Sequence, residues 1–88
     1  MGSEHFKDPF LSILPTIDLH GETSEIAVIL VKDFITVNLK MNNNKIAIIH
    51  GRHSNIIKNA VREYLKRDKR VKKYYIYNMN DGVTIVEL

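Results

Sequence analysis

Residues 45–51 have the sequence Lys-Ile-Ala-Ile-Ile-His-Gly, in which four consecutive apolar residues are followed by a histidine and a glycine. A run that is apolar on both faces is typical of an interior, parallel strand. The basic Lys45 precedes the run, and His50 and Gly51 close it. The sequence therefore predicts a buried strand over residues 46–49, in the interior of a sheet.

On both sides of this strand, apolar residues recur at the spacing of a helix. Before it, Thr23 or Ser24 can cap a helix that ends at the three asparagines 42–44, since Asn favours turns. The predicted buried stripe of this helix is Ala27, Leu30, Val31, Phe34 and Val37. Ser54 or Asn55 can cap a second helix, with the buried stripe Ile57, Ala60, Val61, Tyr64 and Leu65.

Strand-like runs lie outside the two helices. One covers residues 16–20, and two more, residues 71–77 and 82–88, are joined by turn-forming residues as an antiparallel hairpin. The order β-α-β-α-β-β predicts an α/β fold, an α+β two-layer sandwich in which a four-stranded mixed sheet packs with two helices. A right-handed crossover makes the first two strands parallel. Residues 1–14 are predicted to be an N-terminal extension and residues 15–88 the domain.

The composition excludes several kinds of site. The 88 residues include no cysteine, so disulfides, thiolate nucleophiles and Cys-based zinc sites are ruled out. No signal peptide is evident, and the most apolar long stretch is too polar to span a membrane. A soluble, cytoplasmic protein without a membrane partner is the expectation.

Positive charge is concentrated in one part of the chain. The net charge is +3, but residues 58–73 carry eight basic and two acidic side chains. This asymmetry favours a polyanionic partner such as a phosphate backbone. On the second helix, Lys58, Arg62 and Lys66 are spaced to share the outer side, and Arg70 follows the helix. The alternative is a solvated helix end whose cations lie near the negative end of the helix dipole.

Two His-Gly pairs follow the two strands that are predicted to be parallel, at the sheet edge where open α/β folds bind ligands. Asp18 and His20 are two residues apart on a strand, so the carboxylate could hold the imidazole in one tautomer. With His50, they form a set suited to phosphodiester cleavage, one imidazole accepting a proton and the other protonating the leaving oxygen. Alternatively, both histidines are neutral, hydrogen-bonded residues beside the tight turns of Gly21 and Gly51.

The loop after residue 50 offers further contacts. Gly51, Arg52 and His53 lead into the second helix, and the backbone N–H groups there could hold a phosphate. Arg52 could also offset charge in the transition state. No cofactor is firmly implied, but Asp18, His20, His50 and His53 leave a divalent metal site open. The tyrosines 74, 75 and 77 could stack on bases, although tyrosines in strands more often pack across strands.

The chain resembles the small MutS-related (Smr) domain family. The resemblance rests on Thr-Ile-Asp-Leu-His-Gly at 16–21, Ile-Ile-His-Gly at 48–51 and Gly-Val-Thr-Ile-Val-Glu-Leu at 82–88. It implies that Asp18 and His20 match the family's first functional motif, and that His50 and Gly51 begin its second. It also implies nicking of DNA or cleavage of messenger RNA at stalled ribosomes. The chain departs from the family's second motif at His53, where a glycine is usual.

Two hypotheses follow. The first is an endonuclease that uses Asp18, His20 and His50, with RNA favoured over DNA because its 2′-hydroxyl is an internal nucleophile. The second is a non-catalytic module that binds nucleic acid or a ribosome through the basic face of the second helix. The intact Asp-Leu-His-Gly motif favours the first hypothesis, and His53 in place of glycine favours the second.

Overall fold

The two helices and the sheet are seen in a computed structural model, which describes residues 13–51, 55–77 and 80–88. In chain order the elements are β1 (Thr16–Asp18), α1 (Ser24–Lys40), β2 (Lys45–Ile49), α2 (Asn55–Arg67), β3 (Lys73–Tyr77) and β4 (Asn80–Glu87). The predicted order β-α-β-α-β-β is confirmed, and with it the α/β class.

The four strands form one mixed sheet in the spatial order β1-β2-β4-β3. β1 and β2 are parallel, and β4 is antiparallel to both of its neighbours, β2 and β3. The apolar run of residues 46–49 therefore lies in the sheet interior, as predicted. The first strand is shorter than expected because the chain turns after Asp18 and Leu19, although Leu19 still donates a 2.7 Å hydrogen bond to the Ile49 carbonyl.

Both helices pack on one face of the sheet, here called the helix-covered face. Side chains from α1, α2 and three strands form its core; the fully buried ones are Leu19, Ala27, Val31, Ile35, Ile46, Ile48, Val61 and Val86. A second, smaller cluster lies on the opposite face, here called the outer face, and consists of Ala47, Ile49, Val83 and Ile85. The alternation of side chains along β2 and β4 assigns each polar strand residue to one of these faces.

Helix α1 begins where its sequence predicts. Thr23 is the N-cap, and its hydroxyl accepts a 3.2 Å hydrogen bond from the backbone N–H of Ile26. The predicted buried stripe differs from the observed one: Val37 is 50% exposed, whereas Ile35 and Asn38, which were not predicted, are buried. The Asn38 amide donates to the Phe34 carbonyl and accepts from the Asn43 amide, which satisfies the buried polar group and closes the helix.

In the described parts of the chain, no helix is both long and apolar enough to cross a membrane.

Candidate nucleic-acid site at the His-Gly edge

The two His-Gly pairs leave the sheet at the same edge, here called the His-Gly edge (His20, Gly21, His50 and Gly51). The last paired residues of the parallel strands are Asp18 and Ile49, and the Leu19–Ile49 hydrogen bond extends the pairing by one step. Both histidines follow directly. The parallel pairing of β1 and β2, predicted from the crossover rule, thus brings the two motifs to one place.

His20 lies in a tight turn. The backbone N–H of Glu22 donates to the Leu19 carbonyl at 3.1 Å, and Gly21 has a φ of +83°. A positive φ at the third residue is the signature of a type II turn, which requires glycine there. His20 is exposed at the second position of this turn. Gly21 therefore has a conformational role that determines where the imidazole is presented.

Asp18 supports this turn through the backbone. Its Oδ1 accepts a 2.9 Å hydrogen bond from the backbone N–H of His20, and the side chain is exposed. The sequence analysis assigned this carboxylate to the imidazole ring. The observed contact fixes the main chain that carries the ring, so Asp18 acts on His20 by positioning the turn.

His50 is buried, with 2% of its surface exposed. Its Nε2 lies 2.8 Å from the hydroxyl of Thr84, and its Nδ1 lies 3.3 Å from the carbonyl of Gly51. A carbonyl can only accept, so Nδ1 carries the proton, and in the neutral ring Nε2 accepts from Thr84. The sequence left two interpretations of this residue, a catalytic imidazole and a neutral, hydrogen-bonded one. The alternative, a neutral hydrogen-bonded residue at the strand end, describes the observed geometry.

The electrostatics of His50 favour the neutral ring. Burial lowers the pKa of His50 below its ordinary value, and the nearby cations of Lys58 and Arg62 lower the pKa further. The contact with Gly51 and the charge of Asp81 act in the opposite direction and only partly offset this. His50 therefore stays uncharged at neutral pH, between the strand β4 and the basic side of α2.

Asp18 and His50 project from opposite faces of the sheet. Ile17 and Leu19 pack on the helix-covered face, so Asp18 points to the outer face. His50 follows Ile46 and Ile48 on the helix-covered face and contacts Thr84 there. The predicted trio of Asp18, His20 and His50 thus shares an edge, but the carboxylate and the buried imidazole do not share a face.

The basic residues of α2 divide into two groups. Lys58 and Arg62 are half-buried and close enough to His50 to influence its pKa. The Nε of Arg62 is buried and has no hydrogen-bond partner among the described residues. Lys66 is more exposed and lies 3.4 Å from Glu63, which Arg67 also approaches at 3.9 Å. Such exposed ion pairs contribute little to stability and leave these cations open to solvent.

Arg70 has a different role from the one predicted. It was assigned to the nucleic-acid-binding face, but its guanidinium binds both carboxylate oxygens of Asp68, at 3.0 and 2.8 Å. It also donates to the hydroxyl of Thr36 on α1 at 2.8 Å, and the Tyr64 hydroxyl donates to Asp68 at 2.5 Å. Arg70 therefore connects the segment after α2 to α1, and its guanidinium is occupied by contacts within the protein.

Gly51 and β4 complete the His-Gly edge. Gly51 has a φ of +86°, and a Cβ atom there would meet no atom of the other described residues within 4 Å, so the positive φ is the observed reason for the glycine. The backbone N–H groups of His50 and Gly51 both donate to the Gly82 carbonyl. The contacts of Gly82 and Thr84 were not predicted; an available signal was the hydroxyl of Thr84 between the apolar residues Val83 and Ile85.

Two predictions fall partly outside the described residues. Arg52 and His53, assigned to phosphate binding, lie in the part of the chain that the structure does not describe. The divalent metal site left open by the sequence included His53. Among residues 13–51, 55–77 and 80–88, no group of three or more His, Asp or Glu side chains could hold a metal ion.

We expect Thr84 to satisfy the buried Nε2 of His50, while the Gly51 carbonyl fixes the tautomer. Thr84→Val removes the donor to Nε2 and should lower the free energy of unfolding by about 1–2 kcal/mol, because a buried acceptor loses its partner. Nitrogen-15 NMR of the imidazole should show the proton on Nδ1 in the parent, in Thr84→Ser and in Thr84→Val, because the Gly51 carbonyl is present in all three. A proton on Nε2 in the parent would show that this hydrogen-bond assignment is wrong.

The protein belongs to the class of small two-layer α/β domains. Two features define it further: both His-Gly pairs lie at one sheet edge, and a basic helix lies beside that edge. The Smr domain model matches residues 17–88. The chain is 34% identical over 80 residues to endonuclease MutS2 of Leuconostoc mesenteroides subsp. mesenteroides, covering 88% of this chain and 10% of that protein. It is 35% identical over 75 residues to endonuclease MutS2 of a Geobacillus species, covering 82% and 10%.

Solved structures agree with these matches. The Smr domain of Thermus thermophilus MutS2 has a TM-score of 0.82 at 27% identity, covering 84% of this chain and 96% of that one. YdaL, a stand-alone small MutS-related protein from Escherichia coli, shares the fold with a TM-score of 0.77 at 24% identity, covering 83% and 63%. The chain belongs to the Smr domain family, which confirms the resemblance. It spans about a tenth of the length of the two MutS2 proteins.

Proposed function

We propose that this domain binds nucleic acid at the His-Gly edge and cleaves phosphodiester bonds, with RNA as the favoured substrate. The observation that carries the proposal is the pair Lys58 and Arg62, half-buried beside His50 at the edge where the exposed His20 also lies. The matched proteins named endonuclease MutS2 support a nuclease, although this chain corresponds to only a small part of them.

Arg62 supports an anionic ligand in particular. A buried donor without a partner costs about 1–3 kcal/mol, and within the part of the chain that the structure describes the Arg62 Nε is such a donor. A phosphate oxygen would satisfy it and would also neutralise the repulsion between Lys58 and Arg62. Phosphate contacts of this kind position a strand without reading its sequence. The proposal is therefore a backbone-binding site in which Lys66 extends the contact along α2.

In the proposed reaction, His20 is the catalytic base. Its imidazole takes the proton from the 2′-hydroxyl of RNA, the 2′-oxygen attacks the adjacent phosphorus, and the bond to the 5′-oxygen breaks. The leaving 5′-oxygen then takes up a proton from water or from the protonated imidazole. Lys58 and Arg62 offset the charge that accumulates on the phosphate in the transition state. Asp18 and His50 are positioning residues, the first through the turn and the second through β4.

A second candidate function is binding without cleavage. The specific observation in its favour is His50, because both of its ring nitrogens are engaged within the protein and the ring is buried. The proposed partner is then structured RNA, including that of a ribosome, and the proposed location is the cytoplasm. Salt-sensitive binding of RNA by the parent chain, without conversion to shorter products, would select this candidate.

The binding site is tested by removing its two central charges. Lys58→Gln with Arg62→Gln should reduce the slope of log affinity against log salt by about 1–2, because two phosphate contacts are lost. The matched control is Lys32→Gln with Lys40→Gln, which removes the same charge from the exposed side of α1. Fluorescence anisotropy with a single-stranded RNA at several salt concentrations measures both. Equal slopes for the two variants would refute the proposed site.

A further inference from the structure

The outer face of the sheet is buried although both helices lie on the other face. Ala47, Ile49, Val83 and Ile85 are at most 2% exposed. Among the described residues, the partly buried apolar side chains packed against them are Leu14 and Tyr77. These two enter from the start of β1 and the end of β3. Four apolar side chains on the two central strands need a larger cover than this pair supplies.

We propose that the N-terminal segment, residues 1–12, docks on this outer face and serves as its cover. The first argument is chain continuity. Leu14 lies two residues before β1 and already packs against the cluster, so the segment leaves the domain beside this face. The hydrogen bond from the Ala47 N–H to the Pro15 carbonyl holds the same stretch against β2. The segment therefore begins beside the surface that it would cover.

Length and composition fit the same occupant. Twelve residues can extend over about 40 Å, whereas a sheet of four strands is roughly 15 Å wide between its edge strands. Two of the three phenylalanines of the chain, Phe6 and Phe10, lie in this segment, and Leu11 follows. Burying such side chains on an apolar face gives the largest free-energy gain available to a short segment. The segment also lies outside residues 17–88, which match the Smr model.

Docking would also affect the proposed active site, because Asp18 projects from the same outer face. A segment that runs from Leu14 across this face would pass over β1. The last residue of β1 is Asp18, which holds the turn that carries His20. Protection of the outer face from solvent and from other molecules does not require catalysis.

Paramagnetic NMR tests the proposal on the full chain. Because the protein has no cysteine, Lys7→Cys gives a single attachment point for a nitroxide label. The methyl signals of Ile49, Val83 and Ile85 should lose most of their intensity, and those of Ile57 and Leu65 on the helix-covered face should lose less. A label at Lys32→Cys on α1 is the control and should leave the outer-face methyl signals strong.

Mixing experiments distinguish the other occupants. When isotope-labelled protein without nitroxide is mixed with unlabelled protein carrying it, the outer-face signals should remain intact. Loss of signal in this mixture would assign the face to a second copy of the chain and overturn the proposal. Strong outer-face signals in the singly labelled Lys7→Cys protein would overturn it as well. As a second measurement, Phe6→Ser with Phe10→Ser should lower the urea midpoint, and an unchanged midpoint would contradict the proposed cover.

Discussion

Replacing His20 with alanine is expected to lower the rate of RNA cleavage about 100-fold or more while leaving RNA affinity nearly unchanged. A positioned proton-transfer group contributes roughly this factor. Affinity should persist because Lys58 and Arg62, on α2, supply the phosphate contacts. The side chain is exposed at the second position of its turn, so the substitution leaves the turn's backbone hydrogen bonds in place. Single-turnover cleavage and anisotropy on the same RNA measure the two effects separately.

The matched control for this experiment is Glu22→Ala, an exposed change in the same turn. It should leave the cleavage rate close to that of the parent chain. Asp18→Ala should lower the rate less than His20→Ala, because the carboxylate acts only by holding the turn. If His20→Ala cleaves as fast as the parent, the imidazole takes no part in the reaction and the assignment of the catalytic base is wrong.

Asp68→Asn should lower the free energy of unfolding by about 2–4 kcal/mol. The carboxylate accepts hydrogen bonds from Arg70 and Tyr64, and an amide would place N–H donors against them. Loss of one partner of a buried ion pair costs about 3–5 kcal/mol, and partial exposure of Arg70 reduces this figure. Urea denaturation at neutral pH measures the difference.

The same substitution should change how stability depends on pH. The hydrogen bonds from Arg70 hold the pKa of Asp68 well below its ordinary value, so the folded chain binds a proton there less readily than the unfolded chain. The stabilisation is therefore complete above about pH 4 and is lost as the pH falls further. Asp68→Asn should remove most of this loss of unfolding free energy at low pH. Asp33→Asn, an exposed change on α1, is the control and should keep the loss. An equally small loss in Asp33→Asn would contradict the assignment.

The fold could be predicted because each element has a local signal. The helical spacing of apolar residues predicted both helices, and the continuous apolar run at residues 46–49 predicted the interior strand. The differences are small and local in origin. Val37 was assigned to the core because it is apolar, but Asn38 lies on the packed side of α1, where its amide is satisfied within the helix and by Asn43.

The candidate site was only partly predictable, because its decisive contacts join residues distant in sequence. The sequence placed His20 and His50 at one sheet edge, and the parallel pairing of β1 and β2 agrees. The burial of His50 depends on Thr84, which is 34 residues away on β4. No spacing rule within residues 45–51 reports that pairing, so the sequence left the catalytic and the neutral, hydrogen-bonded interpretations of His50 both open.

Arg70 illustrates the same limit for charge patterns. Its position after a basic helix suggested a free cation on a phosphate-binding face. Asp68, two residues earlier, could have suggested a local ion pair, but the bond to Thr36 crosses from one helix to the other. A charge pattern in sequence therefore predicts the sign of a surface, and tertiary contacts decide which cations remain available to a ligand.

The central claim is that nucleic acid binds at the His-Gly edge beside the basic side of α2. NMR titration of the labelled full chain with a short single-stranded RNA tests it most directly. The account predicts that the largest amide shifts occur at His20, Gly21, Gly51, Lys58 and Arg62. Shifts confined to the exposed side of α1 or to β3, with these five residues unchanged, would contradict it.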